Sequence, residues 1–185
     1  ADEDYSIEDN LGSKEQVYGG FCIKSSKAIK KVAQEKTVFD ADKFVELNPL
    51  MEEAHYEVID YIKEKNLNVL FVDTPKILTE NEIGYVNTVY KILDDNGLKY
   101  LHYYVDGSGD FAIDLDSEQD FYDASHVNFY GAEKFTASLA GYLKENYDLP
   151  DKREDPTAQQ FWNGKYDKAK KKIASYEKKQ AEKNK

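Results

Sequence analysis

From Pro49 onward the apolar residues fall into two alternating spacings. Leu50, Ala54, Val58, Ile59 and Ile62 recur at helical intervals behind a proline suited to a first turn, which predicts a helix ending near Lys65. Val69 to Val72 is a continuous apolar run closed by Asp73-Thr74-Pro75, the pattern of a buried parallel strand. A second helix follows, capped by Thr79 or Asn81. Its apolar face is Ile83, Val86, Val89, Tyr90 and Leu93, and Asn96-Gly97 stops it. Leu98 to Val105 reads as another strand, followed by the turn DGSGD and a loop from Phe111 to Tyr130. A helix starting near Ala132 is expected to bury Phe135, Leu139 and Leu143 and to stop at Pro150.

Before Pro49 the pattern is weaker. Val17 to Ile23 reads as a short strand interrupted by Gly19 and Gly20, with helical stretches around Lys27–Gln34 and Asp40–Leu47. After a polar stretch holding Trp162, the Lys-rich end from Lys165 reads as a solvated helix. Helix, strand, helix, strand, loop, helix is an α/β order, with parallel strands and helices on both faces. Two clear strands make a small sheet where about five are typical, so the sheet is expected to be incomplete.

Composition narrows the function. A chain of 185 residues can bury a real core, and it contains no run of 18 apolar residues to span a membrane. The net charge of −11 argues against nucleic acid, whose phosphates demand a basic face. The charge is uneven: residues 165–185 carry +6, leaving −17 for the remainder. The single cysteine, Cys22, excludes an internal disulfide. The chain opens with ADEDYSIEDN, acidic and polar, with no signal-peptide pattern.

Three histidines are present, and one of them, His126, lies three residues after Asp123 on a loop beyond a strand's carboxyl end. Working residues gather at such places in α/β sheets. An aspartate there can accept from one ring nitrogen and leave the other to take a proton from a hydroxyl. Asn128 and Gly131 belong to the same constellation, the glycine letting the chain turn sharply into the helix.

The block D-x-x-H-x-N-x-x-G-A-x-K-x-T, Asp123 through Thr136, resembles the last conserved block of the SGNH (GDSL-like) hydrolases, a superfamily of serine esterases and acyltransferases. The upstream helix YEVIDYIKEKN, the strand VLFVDTP and the next helix and strand match the elements that precede it, so the resemblance covers roughly Pro49 to Trp162. It implies a three-layer α/β/α sandwich, flavodoxin-like in layout. It also implies that Asp123 and His126 complete a Ser-His-Asp triad, with no cofactor. The substrate it implies is an acyl ester, acetyl foremost, of a cell-envelope or other polysaccharide, at an extracytoplasmic or cell-surface site.

The chain departs from the family at its nucleophile. Ser25-Ser26 lacks the glycine of the family's elbow, and Ser108 follows the penultimate strand, which is the wrong place. The expectation is therefore the C-terminal part of an esterase or O-acyltransferase whose serine lies upstream, paired with that missing half or as a homodimer. The alternative is a catalytically inactive binding or scaffold module. The expected divisions are an acidic lead-in at 1–16, the α/β domain at 17–163 and a Lys-rich tail at 164–185. His102 on its strand and His55 on its helix read as structural, and no histidine spacing signals a metal. Asp110, Asp114, Asp116 and Asp120 read as solvated loop carboxylates, since DLDSEQD lacks a calcium loop's glycine and closing glutamate. Tyr103, Tyr104, Tyr122 and Tyr130 offer rings that a sugar could stack on, though buried tyrosines are commonly core.

Overall fold

Two parallel strands with helices packed on both of their faces organise residues 49–139. The computed structural model describes residues 23, 26–35, 37–104, 113 and 115–183. Cys22, Ser25, Ser108, the turn at 106–110 and all of the expected first strand except Ile23 lie outside the described residues. The chain divides into a unit comprising residues 31–139 and a second comprising residues 1–30 with 140–185.

In the larger unit, helix α1 (Pro49–Glu64) starts where expected, with Pro49 in its first turn and the Asn48 carboxamide oxygen accepting from the Leu50 amide. Strand β1 (Leu70–Lys76) follows, then α2 (Glu80–Asp95) and β2 (Lys99–Tyr104). Thr79 caps α2 through a reciprocal box: its hydroxyl accepts from the Glu82 amide, and the Glu82 carboxylate accepts from the Thr79 amide. Gly97 closes the helix at φ +66°, a conformation that glycine adopts without strain. The strands pair in parallel, Phe71 beside Tyr100 and Asp73 beside His102, and the register shifts before Lys76 meets Tyr104.

This register sorts the side chains between two faces. Phe71 and Tyr100 join Leu47, Ile59, Val89, Ile92 and Leu93 in one apolar cluster, so α1 and α2 cover that face. On the other face, fully buried Tyr103 meets Phe135 of α3 (Phe129–Asn146) edge-on, ring centroids 4.9 Å apart. Each buried Ile or Leu contributes about 1.5–3 kcal/mol over an exposed one.

The segment before α1 departs from the sequence reading. After a short 3-10 turn at Ser26–Ile29, the described residues among 30–47 form no helix. Their polar backbone groups are taken by distant partners. Val32 and Gln34 donate to the carbonyls of Phe121 and Ser117, Val45 donates to Gly84, and the Asn87 side chain binds the carbonyls of Asp40 and Lys43. Gly84 admits this strap, because a Cβ there would lie 2.4 Å from a Val45 methyl. Local propensity loses to tertiary pairing.

In the smaller unit, α4 (Pro156–Lys183) begins well before the expected Lys165 and buries Ala169 and Ile173. Asp155 receives the amides of Thr157 and Ala158, the N-cap signal that places the helix start there.

Candidate active site

The stretch read as a loop contains a small antiparallel hairpin, β3 (Phe121–Asp123) and β4 (His126–Val127), turning at Ala124-Ser125. Two attachments fix it. Phe121 is fully buried against Ile77 and Leu115, and the Ile77 amide, just past β1, donates to the Ala124 carbonyl at 2.9 Å. The tip of the hairpin is thereby held at the carboxyl end of β1.

At the end of β4, Asn128 joins the hairpin to α3. Its carboxamide oxygen accepts from the amides of Tyr130 and Gly131 at 2.9 and 3.1 Å, its nitrogen donates to the Gln119 carbonyl, and its own amide donates to Asp120. The side chain is fully buried, so each of these bonds replaces one to water. Gly131 lies against the Asp120 backbone so closely that a Cβ would sit 2.4 Å from its carbonyl oxygen. No other residue fits there without backbone movement. Both supporting residues thus join the loop to the helix rather than facing outward.

Asp123 and His126 stand opposite each other across the hairpin, with Asp123 Oδ1 2.9 Å from His126 Nδ1. The same oxygen accepts from the Ser125 amide at 2.9 Å. Burial pushes the Asp123 carboxyl up, but the hydrogen bonds from the His126 ring and the Ser125 amide outweigh it, so the group sits below its ordinary range. An ionised carboxylate at Nδ1 places the ring proton there and leaves Nε2 with its lone pair. Nε2 makes no hydrogen bond to any described residue, and the His126 side chain is 60% exposed. The Tyr122 ring stacks on the imidazole, 5.2 Å between centroids and 14° between planes. A carboxylate at one edge and a ring on one face hold a basic nitrogen outward.

Sequence reasoning missed two parts of this support. Tyr122, one of four rings expected either to meet a sugar or to join the core, stacks on His126 itself; its position four residues before that histidine gives no sign of stacking without the hairpin. Asp120 is not a solvated carboxylate: it is 2% exposed and accepts from the Asp116 amide at 2.8 Å and from Lys134 at 2.6 Å. Lys134 lies fourteen residues downstream, a separation no local pattern reveals. Asp116 does act in a turn, accepting from the Glu118 amide, while Asp110 and Asp114 lie outside the described residues.

A second Asp-His pair lies between the central strands. His102 Nδ1 is 3.3 Å from Asp73 and 2.7 Å from the Tyr90 hydroxyl, and that hydroxyl donates to the same Asp73 oxygen. His102 is 5% exposed. His55 bonds the Met51 carbonyl one turn back on α1. No group of three or more His, Cys, Asp and Glu suited to a metal occurs among the described residues, and no described helix is long and apolar enough to cross a membrane.

Set beside known proteins, the chain matches no family model, no curated protein and no solved structure.

Proposed function

We propose that this chain carries the acid-base half of an SGNH-type serine esterase or O-acyltransferase acting on acyl esters of a carbohydrate, acetyl esters foremost. The observation that supports it most is the 2.9 Å contact of Asp123 with His126 Nδ1 on a hairpin that turns the other ring nitrogen outward. In such a site Nε2 of His126 removes the proton from a serine hydroxyl as the oxygen attacks the ester carbonyl, and then delivers it to the departing sugar oxygen. Asp123 fixes the tautomer and stabilises the imidazolium in between. Water, or a second hydroxyl in a transferase, takes the acyl group by the same relay. The serine is supplied by a segment upstream of the strap. Helices on both faces of the β1–β2 pair are in keeping with a three-layer sandwich that further strands would complete.

The experiment is labelling of the natural gene product with a fluorophosphonate, which reacts only with an activated serine. Labelling that is lost in His126→Ala and Asp123→Ala supports the reading. An unlabelled protein, or labelling indifferent to both substitutions, overturns it and leaves the binding module.

A further inference from the structure

Of the apolar residues that recur along helix α1, Leu50, Ala54, Val58, Ile59 and Ile62, only Ile59 and Ile62 are buried. Leu50 is 75% exposed, Val58 51% and Tyr61 56%, beside an apolar groove of about 300 Å³ floored by Ile59, Phe71 and Leu93. A stripe this size left open on a helix marks a contact surface. Along its edge Glu53, Glu57 and Asp60 form an exposed acidic ridge spaced four and three residues apart.

Helix α4 presents the counterpart. Phe161, Trp162 and Tyr166 are half exposed, and Lys165, Lys168 and Lys172 run down the Phe161 face at spacings of three and four. Lys165 rests over the Phe161 ring, 3.0 Å from its centroid. Read in opposite directions, the two ridges have one spacing. An antiparallel crossing sets Glu53 against Lys172, Glu57 against Lys168 and Asp60 against Lys165.

We propose that the chain self-associates, α4 of one copy lying antiparallel on α1 of another. Although each copy carries −11, the basic face of α4 meets in a second copy an acidic ridge of the same reversed spacing, a local complement that a uniformly anionic lipid surface lacks. Surface ion pairs set register and are individually weak. In the same register Tyr166 falls opposite Ile59 at the α1 groove, and that apolar contact supplies the affinity. This inference is independent of the esterase reading.

The test is sedimentation equilibrium of the full chain with charge-reversed variants. One variant carries Lys165→Glu, Lys168→Glu and Lys172→Glu; the other carries Glu53→Lys, Glu57→Lys and Asp60→Lys. All six positions lie on the surface or nearly so, and circular dichroism checks that each variant folds. The wild type is expected to associate, more weakly at high salt. Each variant alone should lose more than about tenfold in affinity. An equimolar mixture of the two should regain it, because each then meets its opposite. A wild type with the mass of one chain at all concentrations overturns the proposal. So does association that ignores the reversals, or a basic face that binds anionic vesicles while the chain stays monomeric.

Discussion

The molecule contains two Asp-His pairs built from the same groups and set in opposite surroundings. Asp73 and His102 face each other from neighbouring parallel strands, the histidine side chain 6% exposed, with Tyr90 closing the group from α2. Asp123 and His126 face each other across a two-residue turn, 48% and 60% exposed, with one ring nitrogen facing solvent. The first pair ties together three successive elements, β1, α2 and β2. The second ties only the hairpin to itself, so it contributes little to the fold and keeps a nitrogen free for a proton. Burial and connectivity, rather than residue identity, separate the two pairs.

The largest effect expected on stability belongs to neither pair but to the joint beneath the exposed one. Gly131→Ala drives a methyl against the Asp120 backbone, and since backbone cannot swing aside, the loss should be about 3 kcal/mol. Urea denaturation measures it. Gly84→Ala meets a Val45 methyl at 2.4 Å, with the Val45 amide nitrogen farther off at 3.3 Å, and should cost less than the direct backbone clash at Gly131.

Next comes the buried pair. His102→Ala strips Asp73 and Tyr90 of a shared partner inside the sheet and should cost about 2–3 kcal/mol. His126→Ala, on the exposed hairpin, should stay within about 0.5 kcal/mol of the parent in the same denaturation. Equal losses would erase the distinction between the pairs.

The smallest effect is on pH. Hydrogen bonding from Lys76, reinforced by the Thr79 amide, holds Glu82 down at about 2. A carboxyl lowered on folding adds stability at pH values above its ordinary 4.5, and that stability is lost as pH falls from there toward 2. Asp123, lowered mainly by its hydrogen bonds against the effect of burial, loses its contribution in the same direction. Acid denaturation of Lys76→Ala should therefore show a shallower decline below pH 4.5 than the parent. An unchanged profile would remove Glu82 from the account.

How far the chain could be read follows the same division between local and distant causes. α1, β1, α2 and β2 were legible because caps, periodicity and turn residues lie within them: Pro49, the Thr79 box, Gly97 and the run into Asp73. The hairpin was not, since strands of three and two residues show no alternation, and its place is set by Phe121 packing on Ile77. The strap at residues 30–47 was misread for the same reason, its backbone partners being Phe121, Ser117 and Gly84. The spacing of Asp123, His126, Asn128 and Gly131 was visible as a pattern, and the contact of Asp123 with His126 follows from it. What Asn128 and Gly131 do was hidden, because their partners Gln119 and Asp120 become neighbours only when the hairpin closes.

The measurement that tests the central claim most directly is ester hydrolysis and thermal stability, taken together, for His126→Ala and His102→Ala in the natural gene product with an acetylated sugar. The account predicts a crossover. His126→Ala should lose on the order of 10⁴-fold in rate at an unchanged melting temperature, while His102→Ala should melt lower and keep its rate per folded molecule. A His126→Ala protein that hydrolyses the ester as fast as its parent would contradict it.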